Sequence, residues 1–163
     1  MPYEQQTHAV STTIEMEESR QERIALVQER IVLESVGLNI SGQVATATVR
    51  LRERGRVVSG RAVGRNVEPQ RLSLLGDAAA RALTELLPLG YGVLLSGIRP
   101  VTIEVGDAVI AAATLLTPGG EVTLMGVAPA DGGVTEAAVR AVLDAVNRRL
   151  AYLFADTPLL NAN

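Results

Sequence analysis

The sequence predicts an α+β fold: two pseudo-symmetric βββα units whose antiparallel sheets pack against helices. Three observations lead to it. The stretch Leu38 to Ala47 aligns over Ile103 to Ala112 at one offset, 103 − 38 = 65, which also carries Gly55-Arg56-Val57 onto Gly120-Glu121-Val122. At an offset of 64, Leu75, Ala78, Ala79, Ala82 and Leu86 fall on Val139, Val142, Leu143, Val146 and Leu150. A self-similarity of this period marks a repeated supersecondary unit and is read before any single residue. The second observation is the alternation of apolar and polar residues in the strand segments, and the third is that each copy closes with an apolar, alanine-rich helix.

Residues 1–29 form a polar leader. In it Thr12-Thr13-Ile14-Glu15 has the spacing of a capping box, and Ile24, Val27 and Ile31 have helical spacing. The segment Glu17 to Arg30 reads either as a docking helix for a protein partner or as a solvated lead-in. The repeat then occupies residues 30–154, with unit one at 30–90 and unit two at 95–154, and 155–163 form a tail.

Unit one starts with a β-branched strand from Ile31 to Ile40. After the Ser41-Gly42 turn, Val44 to Glu53 places Ala45, Ala47, Val49 and Leu51 on one face and Thr46, Thr48, Arg50 and Arg52 on the other. A period of two is what a half-buried strand requires. Glu53-Arg54-Gly55-Arg56 turns the chain into Val57 to Gly64. Pro69 then suits the first turn of a helix, where its missing N–H has no partner to lose, and Pro88-Leu89-Gly90 stops that helix near Leu87. Its polar stripe is narrow, with Ser73, Asp77 and Arg81 at four-residue steps, the last two spaced as an ion pair.

In unit two, Pro100 to Val105 is a strand and Ala108 to Thr117 is apolar on both faces, the pattern of a strand covered on both sides. Glu121 to Val127 is the third strand. The final helix, with Thr135 as its N-cap, reaches Phe154 and carries Glu136, Arg140, Asp144 and Arg148 as one line of alternating charge. Both helices carry more apolar surface than one sheet covers. The simplest cover is a second copy of the chain, so a homodimer is expected.

Composition narrows the chemistry. There is no cysteine, and the one histidine, His8, lies in the leader. All 15 basic residues are arginine. Thiolate and lysine chemistry are thereby absent, and a histidine-based triad or zinc site has little to draw on. Aromatic residues are 2% of the chain and its net charge is −3, so neither base stacking nor nucleic-acid binding is favoured. No apolar run is long enough to span a bilayer, and no basic-then-apolar leader opens the chain, which makes a cytoplasmic protein the expectation. Between Arg50 and Arg71 stand seven arginines and two glutamates. That face reads as an anion-binding or partner surface, or as a solvated sheet face.

The order strand-strand-strand-helix, taken twice, with Gly126-Val127 ending the last strand and Glu136 to Arg148 in the last helix, resembles the C-terminal regulatory domain of 2-isopropylmalate synthase and citramalate synthase. The resemblance covers roughly residues 30–153. It implies a dimerising, allosteric module that binds a branched-chain amino acid between the units. The catalytic barrel of those synthases has no counterpart here, and their Gly-Pro-(Val/Ile)-Asp-Ala loop reads Arg65-Asn66-Val67-Glu68-Pro69 in this chain. The second loop is longer by about two residues around Pro129 to Gly133.

The expectation is thus a non-catalytic regulatory or small-molecule-sensing module with no metal and no cofactor. Gly64, Arg65, Asn66, Asp131, Gly132 and Gly133 are its candidate ligand-binding residues, because they lead into helix N-termini whose free amides and positive dipole suit a carboxylate. The alternative is a structural scaffold that keeps the fold without the pocket. Of the carboxylates, Asp107, Asp131 and Glu136 fall nearest a loop-helix mouth.

Overall fold

The structure is a computed structural model and describes residues 31–155. The segment Glu17 to Arg30 and the tail beyond Ala155 lie outside the described residues. The elements follow as β1 (Val32–Ser41), β2 (Val44–Glu53), β3 (Arg56–Arg65), α1 (Glu68–Leu86), β4 (Gly92–Ile103), β5 (Gly106–Thr117), β6 (Gly120–Pro129) and α2 (Val134–Ala155). They form two antiparallel sheets, ordered β1-β2-β3 and β4-β5-β6, each followed by a helix. The two βββα units of the α+β prediction are there.

Local chemistry explains most boundaries. β2 and β3 are joined through Arg54 and Gly55, both at positive φ (46° and 83°), the backbone that a tight hairpin with right-handed strand twist demands. Pro69 lies in the first turn of α1. Two expectations move. Thr135 lies inside α2 rather than capping it, since the helix starts at Val134. β4 begins at Gly92, eight residues before Pro100. Gly92, Gly97 and Pro100 lower the strand signal of that segment, yet β4 is an edge strand, where proline forfeits no ladder bond.

The register of the repeat also changes. Leu33 pairs with Leu51 and Ser35 with Arg50 around a bulge at Glu34; Leu95 pairs with Ala113 and Gly97 with Ala112 around a bulge at Ser96. The first two strands therefore correspond at 95 − 33 = 62. Val49 faces Gly60 and Ala111 faces Gly126, so the third strands correspond at 126 − 60 = 66. Leu74, Leu75, Ala78, Ala79, Ala82 and Leu83 of α1 recur as buried Ala137, Ala138, Ala141, Val142, Ala145 and Val146 of α2, at 137 − 74 = 63. An offset of 65 would set the buried Ala45 and Ala47 against Ile110 and Ala112, which point to the opposite face. Strand side chains alternate with a period of two, so only an even offset keeps the core inside. Four extra residues in the β5–β6 hairpin, two on each arm, account for the step from 62 to 66.

The surplus apolar surface of the helices is covered within the chain. α1 packs on β2 and β3 of its own unit and on β4 of the other; α2 packs on β5, β6 and β1; and the helices touch each other. Leu95 and Ile98 of β4 lie against Gly76 of α1. Thr84 of α1 accepts the Val93 N–H at 2.9 Å and gives its hydroxyl to the Ala80 carbonyl at 2.9 Å, tying the two units together. The helices thus give no reason for a second copy, contrary to the expectation. β5 differs as well: Val109, Ala111, Ala113 and Leu115 are fully buried beneath the helices, but on its other face only Ala108 is buried, and Ile110, Ala112, Thr114 and Leu116 are partly exposed.

The core is small-residue and closely spaced. A Cβ placed on Gly60 would stand 2.6 Å from the Ala82 nitrogen, and one on Gly126 would stand 2.9 Å from the Ala145 Cα. Each glycine lets a helix backbone settle directly on its sheet. No buried side chain among the described residues is polar or charged. No helix among them is long and apolar enough to cross a membrane.

Candidate functional site

The two loop-helix junctions are built differently. At the first, Gly64 and Arg65 end β3, and Asn66 and Val67 lead into α1. The Asn66 N–H donates to the Gln43 carbonyl at 2.8 Å, its Nδ2 to the Gly42 carbonyl at 3.2 Å, and its Oδ1 accepts the Arg71 Nε–H at 2.8 Å. Gly64 lies against the Leu74 side chain. At the helix start Pro69 has no N–H, and the amides of Gln70 and Arg71 bond to the Val67 carbonyl at 3.0 and 3.1 Å. Gly64 and Arg65 are thus held in the sheet and Asn66 in a turn whose polar groups satisfy one another, with few amide donors left for an anion.

The second junction is open. The Ala130 N–H continues the β5–β6 ladder to the Asp107 carbonyl at 2.8 Å, the Gly133 N–H bonds to the Ala130 carbonyl at 3.0 Å, and the Ala137 N–H reaches back to the Gly133 carbonyl at 3.2 Å. The amides of Val134, Thr135 and Glu136 precede that bond, so no helical carbonyl takes them. Beside them lies an open cleft of about 250 Å³, lined by Pro100, Val101, Thr102, Asp107, Ala108, Ala130 and Val134. Its floor is apolar, and its one carboxylate, Asp107, accepts the Thr102 hydroxyl at 2.7 Å.

None of the six sequence-predicted residues lines this cleft. Asp131, Gly132 and Gly133 flank it between Ala130 and Val134, with Asp131 Oδ1 accepting the Gly132 N–H at 3.2 Å. Gly64, Arg65 and Asn66 lie at the other junction and share no cleft with them. Of the three carboxylates, Asp107 faces the cleft, while Glu136 pairs with Arg140 through Nε at 2.7 Å. The lining residues Pro100, Val101 and Thr102 lie in the strand read from the sequence, but they were not among its candidate binding residues. Their signal was the hairpin itself, in which Thr102 pairs with Asp107.

The remaining surface features are charged and dispersed. Of the seven arginines from Arg50 to Arg71, Arg50, Arg52, Arg61 and Arg65 share the outer face of the first sheet, and the others lie off it. Glu34 binds Arg52, with Arg50 Nε at 3.4 Å; Arg56 donates to the Glu85 carbonyl; Arg71 is held by Asn66. Arg81 sends Nη1 to the Arg61 carbonyl at 2.8 Å and acts on Asp77 only as a neighbouring charge. Desolvation raises the Asp77 carboxyl above its ordinary value, and the Arg81 charge opposes this. A second, shallower groove of about 290 Å³ runs between β6 and the C-terminal half of α2, past Met125, Arg148 and Tyr152. Among the described residues no three histidine, cysteine, aspartate or glutamate side chains gather as a metal site.

No protein-family model matches the chain, and a search of curated proteins finds no match. The likeness to the synthase regulatory domain rests on the residues and the repeat alone.

Proposed function

We propose that this chain is a non-catalytic sensing module that binds a small apolar amino acid at the second loop-helix junction and works as a homodimer. The observation that carries the reading is the cleft beside the start of α2, where three ligand-matching features meet. The unused amides of Val134, Thr135 and Glu136 and the positive helix end suit a carboxylate. Asp107 suits an ammonium group. Val101, Ala108, Ala130 and Val134 suit an aliphatic side chain. The first junction, closed by Asn66 and Arg71, takes no part, which gives one site per chain rather than two.

Titration calorimetry of the full chain with leucine, isoleucine and valine tests this. Saturable heat with at least one of them, lost with the corresponding amine that lacks the carboxylate, is the expected result. Absence of heat with all three sinks the sensing reading. The alternative, a scaffold without a ligand, is favoured by one observation, the filled first junction, and predicts that absence.

A further inference from the structure

The uncovered face of the second sheet is where the duplicated fold departs most from itself. At the structural offsets of 62 and 66, Thr48 corresponds to Ile110, Arg50 to Ala112, Ser59 to Met125 and Arg61 to Val127. The same four positions of one fold are thus polar or charged on the first sheet and apolar on the second. The first unit acts as an internal control: the βββα fold itself does not need apolar side chains there. On the first sheet the outward apolar residues, such as Val32, Val57 and Val63, stand around a polar centre. On the second, Ile110, Ala112, Met125 and Val127 hold the centre, with Met125 64% and Val127 49% exposed, while Leu94, the counterpart of Val32, stands at the rim beside the Ser96–Thr114 hydroxyl pair. A contiguous apolar patch of this kind marks an interaction surface.

We propose that the outer face of the β4-β5-β6 sheet is the surface through which two copies of this chain pair, sheet against sheet about a two-fold axis. This rests on the homodimer in the proposed function and names the surface that forms it. The face carries little charge with which to select an oppositely charged partner, Arg99 being its one central cation. An apolar face with so little charge suits a second copy of itself, and a two-fold interface uses the same patch on both subunits. Strands rising about 3.3 Å per residue and spaced about 4.8 Å apart give each face roughly 500 Å² over these three strands. Two faces together remove roughly 1,000 Å², the lower limit for a specific interface, so the dimer exchanges with monomer.

The test transplants the first unit's residues into the second. Sedimentation velocity of the full chain, without amino acid, from about 1 to about 200 µM covers the range where so small an interface pairs. The wild-type chain is expected to shift from monomer to dimer across it. The triple variant Ala112→Arg, Met125→Ser, Val127→Arg is expected to stay monomeric with unchanged far-ultraviolet circular dichroism. If that variant fails to fold, Ala112→Arg alone is the reading, and Arg50→Ala on the other sheet leaves the dimer intact. A wild-type chain that is monomeric throughout overturns the proposal, as does a folded variant that still pairs. A dimer that gives no heat with amino acids sinks the sensing reading and leaves this one; a monomer that binds them does the reverse.

Discussion

Gly126 lies so close beneath Ala145 that a methyl group in its place would stand 2.9 Å from the Ala145 Cα and overlap the backbone of the preceding turn. Gly60 has the same relation to Ala78 and Ala82 in the first unit. The neighbours are helix backbone, which cannot swing aside as a side chain can. Gly60→Ala and Gly126→Ala are each expected to destabilise the fold by about 3 kcal/mol or more, the upper end for overpacking. Gly37→Ala, with nothing within 4 Å of its added carbon, is expected to change stability by less than about 1 kcal/mol. Urea unfolding of the three variants separates these outcomes.

The link between units offers a second measurement. Thr84 accepts the N–H of Val93, a residue only 3% exposed. Thr84→Val keeps the shape and leaves that amide unpaired, a loss of about 1–3 kcal/mol. Thr84→Ser keeps the acceptor and should retain most of the stability. Thermal unfolding of both variants checks the difference, and equal melting temperatures would remove Thr84 from the account.

Asp77 supplies a pH dependence whose sign is fixed. Its carboxyl is raised by desolvation, so the folded state holds the proton more tightly than the unfolded chain does. The stability it contributes is full below the ordinary carboxylate range and is lost as pH rises through the raised value. Asp77→Asn is expected to melt above the wild type at pH 7 and to converge with it in acid. Melting curves across that window would refute the assignment if the gap stayed constant.

At the cleft, Asp107→Asn removes the charge proposed to meet an ammonium group while keeping an acceptor for the Thr102 hydroxyl. A charge-assisted hydrogen bond is roughly twice as strong as a neutral one, so affinity for the amino acid is expected to fall about tenfold or more. Because Asp107 is exposed, the melting temperature of the free protein should move little. Calorimetry and a melting curve on one preparation read both.

The ion pairs of the last helix lie on its exposed side. In α2, Glu136 with Arg140 and Asp144 with Arg148 close the four-residue steps read from the sequence. Asp144 also accepts the Val127 N–H at 3.0 Å, while Arg148 reaches the Met125 carbonyl at 3.2 Å. These contacts occupy backbone groups on the free edge of β6, which limits pairing at that edge and leaves the sheet face as the apolar surface.

The sequence alone determined the class of fold, the bounds of β2 and the helices to within a few residues, the hairpin at Arg54-Gly55, and the charge line of α2. These follow from local periodicity, turn chemistry and four-residue spacing, which are written into neighbouring residues. Only the tertiary structure decided how the copies correspond. Alanine, valine and glycine recur often enough that a match at 65 looks continuous, whereas strand pairing forbids an odd offset. It likewise decided what covers the helices, since an apolar stripe records that a partner exists but not which strand supplies it. For the site, helix-start chemistry pointed to both junctions, yet Asn66 and Arg71 fill one while the Thr102–Asp107 hairpin opens the other. Those two bonds join residues only five apart, but each loop is placed by longer-range contacts, Asn66 to Gln43 and Gly42 and Ala130 to Asp107, which no local pattern encodes.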